Sequence, residues 1–263
     1  MRQVGGGLVD AVDRLVGIAD IAERLDGARS EVDALLWRRE VRSSAAEYTA
    51  TSRQLGSRDS AAIDGADVAV AEESPMGRVL GSAQATIGEA PAQVDIWSKA
   101  PLQALARLHA VAAHGHVSTE LLGRPRGSDE VPDDPLRLAI DVPPAGVAVG
   151  RLTLLADLVA DSAGAPALAI AGIAHGELLT ARPFAWGSGL LGRTSVRLVL
   201  ASRGVDPSLF SIPEVGMFQL GRPAYVRALR HYAAGDMPEY FGWFAEAIRL
   251  GALAAAPRVP AQA

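Results

Sequence analysis

The sequence predicts an all-α fold: a helical bundle with one small β-hairpin flap and a helical extension on its N-terminal side. Three observations carry this. Alanine, leucine and valine dominate a chain of 263 residues in which hydrophobic residues make up 49% and aromatics only 5%, a balance that favours helix. From Trp97 onwards, segment after segment places apolar residues three and four apart. A single short run, Leu136-Arg137-Leu138-Ala139-Ile140, alternates as a strand does.

In chain order, Leu8, Val12, Leu15, Ile18 and Ala22 recur at helical spacing with Asp10, Asp13 and Arg14 between them, so residues 8–51 read as one or two amphipathic helices. A polar stretch follows over 54–73. Residues 74–95, rich in Gly, Ala, Ser and Pro, read as a loop. Residues 97–114 return to helix, with Leu102, Leu105, Leu108 and Val111 on one face and Pro101 suited to a first turn. The Gly/Pro-rich, charged stretch 118–142 holds the strand candidate and predicts the hairpin, which Pro143-Pro144 ends. Five helices follow, over 147–160, 166–181, 190–203, 223–234 and 238–253. The second is apolar on nearly all sides, as a central helix must be. Gly204 and Pro207 stop the third. In the last, Tyr240, Phe241, Trp243 and Phe244 suit a helix packed on the core. The resulting organisation is a helical N-terminal region over 1–100, a core over 101–253 and a disordered tail over 254–263.

Charge and composition narrow the function classes. A formal net charge of −5 offers no basic surplus for nucleic acid. The absence of cysteine removes disulfides, thiol nucleophiles and Cys-ligated metals, and suits a reducing cytoplasm. The start shows no signal-peptide pattern, and no apolar run reaches membrane-spanning length.

The informative segment is Ala181-Arg182-Pro183-Phe184-Ala185-Trp186-Gly187-Ser188-Gly189-Leu190-Leu191-Gly192-Arg193. A buried helix ends, Pro183 forces an extended turn, and Gly187-Ser188-Gly189 opens the next helix. Glycines at a helix N-terminus leave backbone amides free and approachable, which makes an anion nest. Arg193, on the first turns, leans back towards the same point. Read by itself, the segment also fits an ordinary helix–turn–helix with capping glycines.

The segment resembles the signature of Fic proteins, His-Pro-Phe-x-Asp/Glu-Gly-Asn-Gly-Arg-x-x-Arg, with Pro183, Phe184, Gly187, Gly189 and Arg193 in register. The flanks resemble the family as well: 174–179 before the motif, 196–204 and the Tyr225/Leu229/Gly235-Asp236 pattern after it, and Pro143-Pro144 with 154–159 after the flap. The resemblance spans about 101–253 and implies the Fic fold. It also implies losses. The catalytic histidine falls on Arg182, whose guanidinium stays protonated and takes up no proton. The metal-binding acid falls on Trp186, which has no oxygen for Mg²⁺. The anion-hole asparagine falls on Ser188 and the first phosphate-binding arginine on Leu190. Gly187, Ser188, Gly189 and Arg193 remain to hold a phosphate.

Upstream, Ser60-Ala61-Ala62-Ile63-Asp64-Gly65 resembles the family's inhibitory motif, [Ser/Thr]-x-x-x-Glu-[Gly/Asn], one methylene short at the acid. The resemblance implies that Ser60, Asp64 and Gly65 lie against the pocket, with Asp64 paired to Arg193. The expected function is a catalytically impaired Fic relative that keeps a phosphate- or nucleotide-binding loop for ATP or another nucleotide, without Mg²⁺, or that acts as an interaction module through the flap at 118–142. The alternative is an active transferase moving AMP onto a protein hydroxyl with a rewired site. Either reading leaves room for a homodimer. The remaining features read as structural: His109, His114 and His116 as a solvated helix end with no metal geometry, His175 as a hydrogen-bonded core histidine, and Arg124-Pro125-Arg126 as a loop beside the flap. Phe184 and Trp186 read as packing residues, with Trp186 also placed to stack on a base.

Overall fold

The computed structural model describes residues 10–66, 74–162 and 164–256. The described chain is helical over 10–16 (α1), Ala19–Trp37 (α2), Arg39–Ser43 (α3), Ala45–Ile63 (α4), Pro75–Lys99 (α5), Pro101–Ala112 (α6), Ala145–Asp161 (α7), Ala167–Ala181 (α8), Ser188–Ser202 (α9), Pro213–Gln219 (α10), Arg222–Ala234 (α11) and Met237–Ala255 (α12). Among the described residues no helix is long and apolar enough to cross a membrane. The start of the first expected helix at Leu8, the end of the polar stretch at 67–73 and the expected tail over 257–263 lie outside the described residues. Ala254 and Ala255 belong to α12 rather than to a tail.

α8 is the axis of the bundle. Leu168, Ala169, Ile170, Ala171, Ala174, Leu178 and Leu179 are all buried, so its apolar residues serve neighbours on every side. It lies against α7, α9 and α11, while α2 covers α12 and α4 bridges α5 and α10. One continuous apolar core runs from Val12 to Ala252.

Two expectations fail, each for a physical reason. The stretch 74–95 is helix, not loop. Ser74 caps α5 by accepting the Gly77 N–H at 2.9 Å, and Pro75 sits in the first turn, where its missing N–H costs nothing. Ala83, Ile87, Ala90 and Trp97 then fall on one buried face, so tertiary packing overrides the weak propensity of the glycines and of Pro91. The polar residues 54–63 are likewise helix, the second half of α4.

The hairpin is also absent: no strand forms among the described residues, and 118–142 holds only a 3₁₀ turn at Thr119–Leu121. The alternation that suggested a strand arises because Leu136 and Leu138 are buried while Arg137 and Ala139, in left-handed conformations with φ of 53° and 51°, point outwards. The Asp134 carboxylate accepts the Leu138 N–H at 3.0 and 3.1 Å, a local turn that outcompetes strand pairing. The flap is therefore a loop, and the strand edge expected for a protein partner does not form.

Candidate functional site

The site is built where α8 ends and α9 begins. Arg182 terminates α8 in a left-handed conformation (φ 45°, ψ 62°) and is buried. Its Nη1 lies 3.3 Å from the Asp134 carboxylate and its Nη2 donates to the Ile140 carbonyl at 3.4 Å, so the flap loop holds it. Arg126 ties the same loop down from the other side. Its N–H donates to the Pro183 carbonyl and its Nε to the Arg182 carbonyl, each at 2.8 Å.

Phe184 is buried and stacks on His109 at 4.4 Å. His109 Nδ1 accepts the Gly123 N–H at 2.9 Å, and burial pushes the imidazole pKa down to about 4, so it is neutral. Trp186 stacks on His116 at 3.8 Å with the rings 10° from parallel, and His116 Nε2 lies 3.1 Å from Ser82 Oγ. His109 and His116 thus clamp the loop aromatics from α6 and the turn after it, which corrects the reading of both as a solvated helix end; His114 is exposed as expected.

Gly187 adopts φ 79°, a conformation in which a Cβ would be strained, and this turns the chain into α9. Its N–H donates to both oxygens of Asp133, at 3.2 and 3.3 Å, while the Asp133 N–H donates to the Ala185 carbonyl at 3.0 Å. Burial against the loop pushes the Asp133 carboxyl up to about 7, with Asp64 and Asp134 adding repulsion and Arg182 and the Gly187 N–H opposing the shift. Ser188 is buried and its Oγ has no hydrogen-bond partner among the described residues. Leu190 is core.

Arg193 is fully buried and fully engaged. Nε donates to Ser60 Oγ at 2.8 Å, Nη2 to the Ser60 carbonyl at 3.0 Å and to Asp64 Oδ2 at 2.6 Å, and Nη1 to Tyr225 Oη at 3.5 Å. Burial alone disfavours its charge, but Asp64 and Tyr225 outweigh that and hold it firmly protonated. Asp64 lies over the start of α9: a Cβ at Gly189 would sit 3.0 and 3.1 Å from its two oxygens, and Asp64 Oδ1 has no hydrogen-bond partner among the described residues. Gly65, at φ 92°, turns the chain away from α4.

The segment reaches Arg193 through a stripe that repeats every four residues. Ser52, Gly56, Ser60 and Asp64 share one face at the helical repeat. Ser52 Oγ accepts from Arg197 Nη1 at 2.8 Å, Gly56 lies where a Cβ would run into Arg197 Nη2, and Ser60 and Asp64 take Arg193 one turn away. Arg197 is completed by Glu214, bidentate at 2.7 Å, with both side chains buried.

Behind Arg193 runs a directional chain. Tyr225 Oη, accepting from Arg193, donates to His175 Nε2 at 2.6 Å; His175 Nδ1 donates to Tyr240 Oη at 2.9 Å, and Tyr240 donates to the Gly172 carbonyl at 2.7 Å. Burial and the Arg193 charge push His175 down to about 3, which matches its expected role as a hydrogen-bonded core histidine.

The structure therefore brings together Arg182, Gly187, Ser188, Gly189, Arg193, Ser60 and Asp64, with Gly65 at the adjoining turn. Sequence reasoning missed Asp133, Asp134, Arg126 and Tyr225. The Asp-Asp pair before Pro135 and the four-residue stripe were the available signals. The amides opening α9 and the positive end of its dipole suit an anion. Trp186, at the position where the resemblance places the metal-binding acid, brings no oxygen.

No family model and no curated protein matches the chain. Solved structures do. A Fic family protein from Desulfovibrio desulfuricans G20 aligns with a TM-score of 0.68 at 17% identity, over 90% of this chain and 74% of that one. A fragment of Fic-1 from C. elegans aligns with a TM-score of 0.67 at 17% identity, over 92% of this chain and 73% of that one. A variant of the same fragment aligns with a TM-score of 0.63 at 16% identity, over 95% and 73%. With the motif loop lying between a buried axial helix and a glycine-opened one, the chain has the Fic fold.

Proposed function

We propose that the chain is a catalytically impaired Fic-fold module that binds a phosphate-bearing ligand, ATP or another nucleotide, at the start of α9, and that α4 holds this site closed. The observation that carries the reading is the Asp64–Arg193 pair at 2.6 Å lying directly over Gly189. A carboxylate placed on a helix N-terminus and a buried arginine is a stand-in for a ligand anion. Ser60, Asp64 and Gly65 act as the inhibitory segment. Impairment follows from residue chemistry. Arg182 has no basic lone pair, Trp186 no metal-binding oxygen, and Leu190 no charge. Phosphoryl and nucleotidyl transfer depend on positioning and charge neutralisation, so these absences remove most of the catalysis.

The test is calorimetric titration of pyrophosphate and ATP, each with and without Mg²⁺, into the wild type and the Asp64→Ala variant. The expected result is binding that Asp64→Ala strengthens at least tenfold and that Mg²⁺ leaves unchanged. No binding to either protein overturns the reading. One observation favours the second reading, an active transferase: the Asp133 carboxyl near the motif loop has its pKa raised to about 7, the range suited to a general base. Under that reading ATP label enters protein with a pH profile governed by Asp133.

A further inference from the structure

The flap loop places two adjacent carboxylates on the two ends of the motif loop. Asp133 accepts the Gly187 N–H at 3.2 and 3.3 Å, and Asp134 pairs with Arg182 at 3.3 Å. The main chain reinforces both contacts, Asp133 N–H on the Ala185 carbonyl at 3.0 Å and Arg126 N–H on the Pro183 carbonyl at 2.8 Å. The loop 182–187 is thus strapped along its length by 126–134. Resting on the anion-binding reading above, we propose that Asp133-Asp134 is a built-in diphosphate mimic: a latch, separate from Asp64, that keeps the loop shut and that a polyphosphate ligand must displace.

Three features distinguish a latch from simple packing. Asp133 turns both oxygens to a single backbone N–H of the nest, the group an incoming anion would use. Two donors at the loop, Ser188 Oγ and Arg182 Nε, are buried in residues only 3% and 4% exposed and have no hydrogen-bond partner among the described residues, although an unpaired buried polar atom is costly. A ligand oxygen at the loop would supply the acceptor that the flap leaves missing. The electrostatics are also poised: Asp133 faces Asp64 from α4 and Asp134 from its own segment, both repulsive, and Arg182 from the loop, attractive. An incoming anion competes with the two flap carboxyls for the Gly187 N–H and the Arg182 guanidinium. Two carboxylates span the two loop contacts, so the matching ligand class is a diphosphate rather than a monophosphate.

The test uses hydrogen exchange and binding on the full chain. Amide exchange at Gly187 and across 126–140 is followed in the wild type, in Asp133→Ser, in the shape-preserving Asp133→Asn, in Asp134→Asn and in the control Asp129→Asn at an exposed flap position. Pyrophosphate and phosphate are titrated into each, and into Asp64→Ala. The expected result is Gly187 exchange at least tenfold faster in Asp133→Ser, a smaller acceleration in Asp133→Asn, and no change in the control. Pyrophosphate should bind the Asp133 and Asp134 variants at least tenfold more tightly, phosphate only slightly more, and pyrophosphate should speed flap exchange in the wild type. Unchanged Gly187 exchange overturns the latch. Faster exchange with equal pyrophosphate affinity in wild type and variants overturns the mimicry. Absence of pyrophosphate binding even to Asp64→Ala overturns the reading of the site on which both rest.

Discussion

Replacing Asp64 by alanine removes one half of a buried ion pair and leaves the other half in place. Breaking such a pair from one side costs about 3–5 kcal/mol. Here Arg193 keeps three further acceptors, Ser60 Oγ, the Ser60 carbonyl and Tyr225 Oη, so the lower end applies. For a chain of this size, about 3 kcal/mol lowers the melting temperature by roughly 6–12 °C. The same substitution exposes the Arg193 guanidinium and the amides opening α9 to a ligand. A ligand at a hundred times its Kd returns about 2.7 kcal/mol to the folded state, most of what was lost. Thermal unfolding of wild type and Asp64→Ala, with and without tens of millimolar phosphate or pyrophosphate, reads both effects. The variant should melt well below the wild type in plain buffer and recover most of the gap when the anion is added, while the wild type barely responds. Equal melting temperatures in plain buffer, or equal anion responses in the two proteins, would refute the argument.

Three more outcomes follow from the same geometry. Arg193→Met should cost more than Asp64→Ala, about 4–5 kcal/mol, because it strands the Asp64 carboxylate and leaves Ser60 and Tyr225 without their cation; denaturant titration gives the difference. Gly56→Leu should undock α4 from Arg197, costing about 1–3 kcal/mol as overpacking or more if the helix peels away, and should raise anion affinity as Asp64→Ala does. The pH profile has opposing contributions. His109 and His175, with pKa values near 4 and 3 in the fold against about 6.5 unfolded, each take up a proton on unfolding as pH falls below 6.5, so acid costs stability. Asp133, near 7 in the fold against 3.8 unfolded, is protonated in the folded state first, so acid returns stability between those values. Asp133→Asn should therefore lose stability with acid more steeply than wild type between pH 6 and pH 4.5, by about 1.4 kcal/mol per pH unit; parallel melting curves against pH would contradict the assignment.

Much of this was legible in the chain. The Gly187-Ser188-Gly189 opening of α9 follows from glycine chemistry after Pro183, and the all-round apolarity of 166–181 marks an axial helix. The Asp64–Arg193 pairing was implied by the resemblance of 60–65 to the family's inhibitory motif, and the two side chains lie 2.6 Å apart. What failed depended on tertiary context. Gly77, Gly81, Gly88 and Pro91 lower the helical propensity of 74–95, and packing of Ala83, Ile87, Ala90 and Trp97 overrides them. Leu136 and Leu138 are buried on one side just as a strand's residues would be, but the Asp134 carboxylate accepts the Leu138 N–H in a local turn. The role of Asp133 had no sequence signal beyond its charge, since its partner, the Gly187 N–H, lies 54 residues away. The histidines of α6 and its following turn were misjudged because stacking on Phe184 and Trp186 is a contact between distant segments.

The central claim is that the site binds an anion but lacks the groups for transfer, and label transfer from α-labelled ATP tests it most directly. Three proteins are compared under Mg²⁺: wild type, Asp64→Gly, and the variant combining Arg182→His, Trp186→Asp, Ser188→Asn and Leu190→Arg with Asp64→Gly. The account predicts no protein labelling by wild type or by Asp64→Gly, because opening the site does not supply a base or a metal ligand, and labelling by the combined variant alone. Loss of a general base by itself lowers a rate by about 10²–10⁴. Robust labelling by wild type or by Asp64→Gly would contradict the account, since transfer would then proceed with Arg182 and Trp186 in place.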